Sequence, residues 1–146
     1  MDSKGIVTVD FLFTLFLTLI ITIAGLNLIE TNLNTEKSLE EDTKARLILE
    51  RVANSINQVN SNLPGNIQEI FLPRNISGNS YILTVRSNHI ILEFSNKKGK
   101  SIIFPINLVD FNMNRINEIK LYPGEKYKIK KSLDENNINV IQIYKV

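Results

Sequence analysis

The chain has 146 residues, with 17 Lys and Arg against 15 Asp and Glu, for a net charge of +2. That balance is too small to argue for a nucleic-acid partner. The absence of cysteine excludes a disulfide scaffold, a thiol nucleophile, thiolate zinc sites and a lipid-modified N-terminal cysteine.

The chain opens Met1-Asp2-Ser3-Lys4-Gly5-Ile6-Val7-Thr8-Val9-Asp10, and residues 11–29 then carry no charged side chain. As a helix rising about 1.5 Å per residue, those residues reach about 28 Å, close to the hydrocarbon thickness of a bilayer. An acid at the mouth of such a helix, here Asp10, is costly and calls for a reason. An ordinary secretory signal has a basic start, an apolar core of roughly 7–15 residues and a small-x-small cleavage site. This run is longer, Asp2 opposes Lys4, and the one cleavage-like tripeptide, Thr22-Ile23-Ala24, lies inside the run with Leu26, Leu28 and Ile29 still to come. The segment therefore reads as a retained membrane anchor. Lys4 precedes it, while Glu30, Glu36, Glu40, Glu41 and Asp42 follow with Lys37 between them. These flanks place the N-terminus in the cytoplasm and the bulk of the chain outside.

Residues 30–63 read as an amphipathic helix. Ala45, Ile48, Leu49, Val52, Ile56, Val59 and Leu63 recur at spacings of three and four, which puts them on one face. Ser38-Leu39-Glu40-Glu41 fits a capping box, so a helix can restart there. No proline precedes Pro64, so one helix from about residue 6 to 62 is allowed, with Gly25 or residues 32–35 as sites for a bend. Pro64-Gly65 stops it. Residues 63–78 read as a transition, containing the N-glycosylation sequon Asn75-Ile76-Ser77.

From Ser80 the period changes to two. Tyr81, Leu83 and Val85 form one strand, and Ile90, Leu92 and Phe94 a second after a turn at Ser87-Asn88. Asn96-Lys97-Lys98-Gly99 reads as the next turn, followed by a strand facing inward at Ile102, Phe104 and Ile106. Ile119 and Leu121 precede Tyr122-Pro123-Gly124-Glu125, where proline and glycine suit the central positions of a type II turn. Tyr127 and Ile129 alternate with Lys126, Lys128 and Lys130, and a last strand runs from about 138 to 144. The expected fold class is α+β: a long membrane-spanning helix continuing into an amphipathic helix packed on a small antiparallel sheet of about six strands in a meander.

No catalytic constellation is visible. His89 stands alone beside Ile90 and Ile91, and reads as strand filler. Glu40, Glu41 and Asp42 suit a first helical turn. No metal-ligand spacing and no phosphate-binding loop occur, so no cofactor and no enzyme activity are expected. The lysines at 97, 98, 100, 126, 128, 130 and 131 read as a solvated cationic surface rather than a nucleic-acid site.

Lys4-Gly5-Ile6-Val7-Thr8-Val9-Asp10, placed directly before an apolar run, resembles the N-terminus of archaeal type IV pilin-like proteins with class III signal peptides. In that family a prepilin peptidase cuts after the glycine and the membrane helix stays on the mature protein. The resemblance implies a leader at residues 1–5, cleavage between Gly5 and Ile6, a membrane and polymerisation helix at 6–29, an amphipathic helix at 30–64 and a β-rich extracytoplasmic head at 65–146. Thr8 would be the third mature residue and Asp10 the fifth. The family more often carries Glu at that fifth position and Gln or an aromatic residue at the first. Asp10 would neutralise the new ammonium of Ile6 on a neighbouring subunit, acting as a register device where an unpaired charge costs several kcal/mol. The implied partners are membrane lipid, prepilin peptidase and other pilin subunits, in a homo- or hetero-oligomer assembled at the cell surface. The competing expectation is a single-pass, membrane-anchored extracytoplasmic binding or sensing protein that never assembles.

Overall fold

The computed structural model describes the backbone of residues 3–146 and the side chains from Thr8 onward. The chain divides into a unit of Met1–Glu40 and a unit of Glu41–Val146. One helix, α1, spans Ser3–Ser61, and residues 25 and 32–35 are helical with the rest. With no proline before Pro64, nothing removes a backbone donor from this stretch. Beyond the end of α1, Pro64 and Gly65, the latter at φ 93°, form a turn closed by the Asn66 N–H on the Leu63 carbonyl at 3.3 Å.

Within the second unit, Ala45, Ile48, Leu49, Val52, Ile56 and Val59 are buried, as their spacing predicts. Leu63 is not. It is 83% exposed, because α1 ends at Ser61 and the 3.6-residue period no longer governs its direction.

Eight strands follow, rather than about six: β1 (Ile67–Phe71), β2 (Tyr81–Arg86), β3 (His89–Phe94), β4 (Lys97–Ile102), β5 (Leu108–Val109), β6 (Glu118–Leu121), β7 (Lys126–Leu133) and β8 (Asn139–Lys145). They form two four-stranded sheets, ordered β1-β7-β8-β5 and β4-β3-β2-β6, in place of one meander. The pairing is antiparallel except between β5 and β8, which run parallel. The chain passes from the second sheet to the first through Tyr122-Pro123-Gly124-Glu125, where Gly124 has φ 80°, as a type II turn requires.

Three strands depart from the sequence reading, one of them the two-residue β5, which it did not expect. β1 lies in the stretch read as a transition. It is edge-paired, and its apolar residues fall on both faces, with Ile70 buried and Ile67 and Phe71 half exposed. Such a strand shows no two-residue alternation. The β3–β4 turn is Ser95 and Asn96, at φ 43° and 60°, the two positive values a tight hairpin turn needs. Lys97-Lys98-Gly99 is therefore strand, not turn. Ile102 and Phe104 face solvent, and Ile103 and Ile106 face the core.

The buried stripe of α1 joins the inner faces of both sheets in one apolar cluster, which includes Leu83, Val85, Ile90 and Leu92 from one sheet and Ile70, Ile129, Ile141 and Ile143 from the other. β8 is buried on both sides over residues 140–143. Its second face is covered at Gln142, whose Nε2 donates to the Asp110 carbonyl at 3.0 Å. The domain is α+β, with the amphipathic part of α1 as the element that closes the core.

Candidate functional site

The first unit contributes an uncovered apolar helix. From Thr8, α1 is long and apolar enough to cross a membrane, and residues 8–29 are all exposed. Phe11, Phe13, Phe16, Leu19, Ile23 and Leu28 are all more than half exposed. An apolar surface this continuous needs lipid or other protein around it.

Its polar groups are disposed accordingly. The hydroxyls of Thr14, Thr18 and Thr22 donate to the carbonyls of Asp10, Thr14 and Thr18, each at 2.8 Å. Thr31 and Thr35 repeat the pattern onto Asn27 and Thr31. A hydroxyl that bonds back along its own helix presents no unmet donor to hydrocarbon, which is the condition for a polar side chain in a membrane segment. Asp10 and Thr8 are exposed at the N-terminal end of this surface. Lys4, Gly5 and Ile6 lie outside the residues whose side chains are described.

In the second unit, Asn75 is exposed on the loop between β1 and β2. Its Oδ1 accepts the Gly78 N–H at 3.1 Å, and Ile76 and Asn79 bridge beneath it. Ser77, the third sequon residue, accepts from Lys44 Nζ at 3.2 Å. The sequon is thus an ordered, solvent-facing turn.

A groove of about 700 Å³ runs between α1 and β4, lined by Asp42, Ala45 and Leu49 on the helix and by Phe94, Lys97 and Gly99 on the strands. Lys97 Nζ meets Asp42 at 2.8 Å across it, and lies 5.8 Å from the Phe94 ring centre. A Cβ built on Gly99 would sit 2.8 Å from Leu49 Cδ1, so the absence of a side chain sets how closely strand and helix approach.

The charged surface is less uniform than its sequence suggests. Lys98 pairs with Glu93, Lys128 with Glu69 and Lys145 with Glu125. Lys131 is buried at 7% exposure, with Nζ donating to the carbonyls of Asn60 at 2.7 Å and Asn62 at 2.9 Å. It closes the C-terminal end of α1 against β7, where a cation also meets the negative end of the helix dipole. Nothing in its Lys-Lys setting distinguishes it from its neighbours in the sequence. The sole signal is register: residue 131 continues the inward series of Tyr127 and Ile129.

His89 is partly exposed at the start of β3, and its Nδ1 lies 2.6 Å from Asn88 Oδ1. Slight desolvation, with Lys100 and Arg86 nearby, holds its pKa below the ordinary histidine value. Among the described residues, no group of three or more His, Asp or Glu side chains is placed to hold a metal ion.

No family model, curated protein or solved structure matches this chain.

Proposed function

We propose that this chain is a structural subunit, a pilin or minor pilin-like protein, of an archaeal type IV pilus-like surface filament. Prepilin peptidase would trim it between Gly5 and Ile6. The trimmed helix would anchor the subunit in the membrane with its N-terminus cytoplasmic and its head outside, then pack against other subunits in the filament. Asp10 would pair with the ammonium of a neighbour's Ile6.

The observation that carries this reading is the helix surface of residues 8–29, apolar, exposed along its whole length, and with its threonine hydroxyls turned onto its own backbone. Such a surface suits lipid before assembly and a bundle of like helices after it. A separate, well-packed β-rich head beyond residue 41 supports a division between a part that assembles and a part that is displayed.

The test is immunogold electron microscopy of filaments sheared from cells, using an antibody to the head. Labelled filaments that vanish when Gly5→Val blocks trimming support the reading. Label confined to the membrane fraction, unchanged by Gly5→Val, favours an anchored binding or sensing protein instead.

A further inference from the structure

Each sheet of the head has one terminal strand whose free edge is patterned for the other. β4 ends the second sheet and β1 ends the first. In β4 the pairing with β3 is set by the two-residue turn, and Ile103 N–H bonds Asn88 in the same register at 3.1 Å. Odd-numbered residues of β4 therefore bond inward to β3, and the backbone groups of Lys98, Lys100 and Ile102 point away from it. In β1, Leu72 N–H bonds Glu125 at 3.1 Å and Lys131 N–H bonds Asn66 at 3.1 Å. Even-numbered residues there bond toward β7, and Ile67, Glu69 and Phe71 direct their backbone groups outward.

We propose that these two edges pair antiparallel between copies of the chain, β1 of one head against β4 of the next, centred on Glu69 opposite Lys100. The register places Ile67 opposite Ile102, a contact between side chains 49% and 78% exposed in the single chain. It places Phe71, 53% exposed, opposite the Lys98 ammonium. All six residues carry their side chains on the solvent face of their own sheet, so the joined ladder keeps solvent faces together and inner faces together. Alternative pairings are disfavoured by charge: β1 on β1 sets Glu69 against Glu69, and β4 on β4 sets lysines against lysines. At Phe104 the free edge is already closed, because Asn57 Oδ1 accepts that N–H at 2.9 Å. This bounds the open segment at Ile102.

A contact between two different patches is heterologous, and it propagates into an open chain unless its rotation closes a ring. This interface deepens the filament reading and rests on it for its biological setting, while making a separate prediction about the heads.

The chain contains no cysteine, so introduced thiols report without background. Full-length Glu69→Cys/Lys100→Cys, expressed in cells and treated with a short bismaleimide, should give a ladder of dimers, trimers and higher species, with neither single variant laddering. Ile67→Cys/Ile102→Cys should ladder as well, and the out-of-register Ile67→Cys/Lys98→Cys should not. Resistance of each head to limited proteolysis confirms that it is folded. Folded double variants without ladders overturn the proposal, as does dimerisation of Glu69→Cys alone. Filaments without ladders would sink the edge pairing and leave the filament reading standing. Ladders without filaments would do the reverse.

Discussion

The ammonium of Lys131 lies 2.7 Å from the carbonyl of Asn60, joining the middle of β7 to the last turn of α1. A second bond to Asn62 at 2.9 Å makes it a bidentate cap, buried at the seam where helix and sheet meet. Replacing it with methionine keeps the volume and strands both carbonyls. Lys131→Met should cost about 1–3 kcal/mol. For a head of this size, each kcal/mol corresponds to roughly 4–8 °C in Tm, readable by thermal unfolding of the detergent-solubilised chain. Lys130→Met, one residue away and bearing no such bonds, should leave Tm within about 2 °C.

Gly99 tests how tightly α1 lies on β4. A valine there drives its Cβ into Leu49, which is itself 5% exposed. Gly99→Val should destabilise by about 1–3 kcal/mol through overpacking. In the double variant Gly99→Val/Leu49→Ala part of that loss should return, giving a coupling energy of at least about 0.5 kcal/mol in a double-mutant cycle. Strict additivity would mean that strand and helix are further apart than the structure has them.

Tyr81 provides an alkaline marker. Its hydroxyl donates to the Pro73 carbonyl at 2.8 Å, and burial, with a smaller effect of Tyr127, pushes its pKa up to about 12. A phenol with a raised folded pKa contributes stability that is fully present below the unfolded value of about 10 and is lost as pH rises through the folded one. Unfolding midpoints should therefore fall between about pH 10 and 12. Tyr81→Phe should remove that component, and should cost about 1 kcal/mol at neutral pH for the unpaired Pro73 carbonyl.

The parts of the fold that were legible in the sequence are those with one buried face. The stripe from Ala45 to Val59 and the inward series Tyr81, Leu83, Val85 and Ile90, Leu92, Phe94 follow directly from their periods. The strands that escaped are sheet edges. β1 carries apolar side chains outward at Ile67 and Phe71, and β4 turns Lys97, Gly99 and Ser101 inward, so neither alternates visibly. Division into two sheets was hidden for a related reason. A turn such as Tyr122 to Glu125 looks the same whether it joins neighbouring strands or crosses between layers. At the candidate site, the uncharged run and Asp10 were plain from sequence alone. The Lys131 cap and the complementary edges needed the register of β7 and the order of the strands.

Asp10 separates the two ways of using the N-terminal helix. If it pairs with a neighbour's Ile6 ammonium in a dry bundle, Asp10→Ala should cut incorporation into filaments by at least about tenfold, since an unpaired charge there costs several kcal/mol. Asp10→Glu should retain most of it. The amount of subunit in the membrane should be unchanged in both, as quantitative blotting of membrane and sheared fractions would reveal.

Cleavage between Gly5 and Ile6 is what would separate a trimmed filament subunit from an untrimmed membrane anchor. N-terminal sequencing of the mature protein, purified from membranes and from sheared filaments, addresses it in one measurement. The expected first residue is Ile6 in both fractions. An intact Met1, or a start near Gly25, would contradict the account.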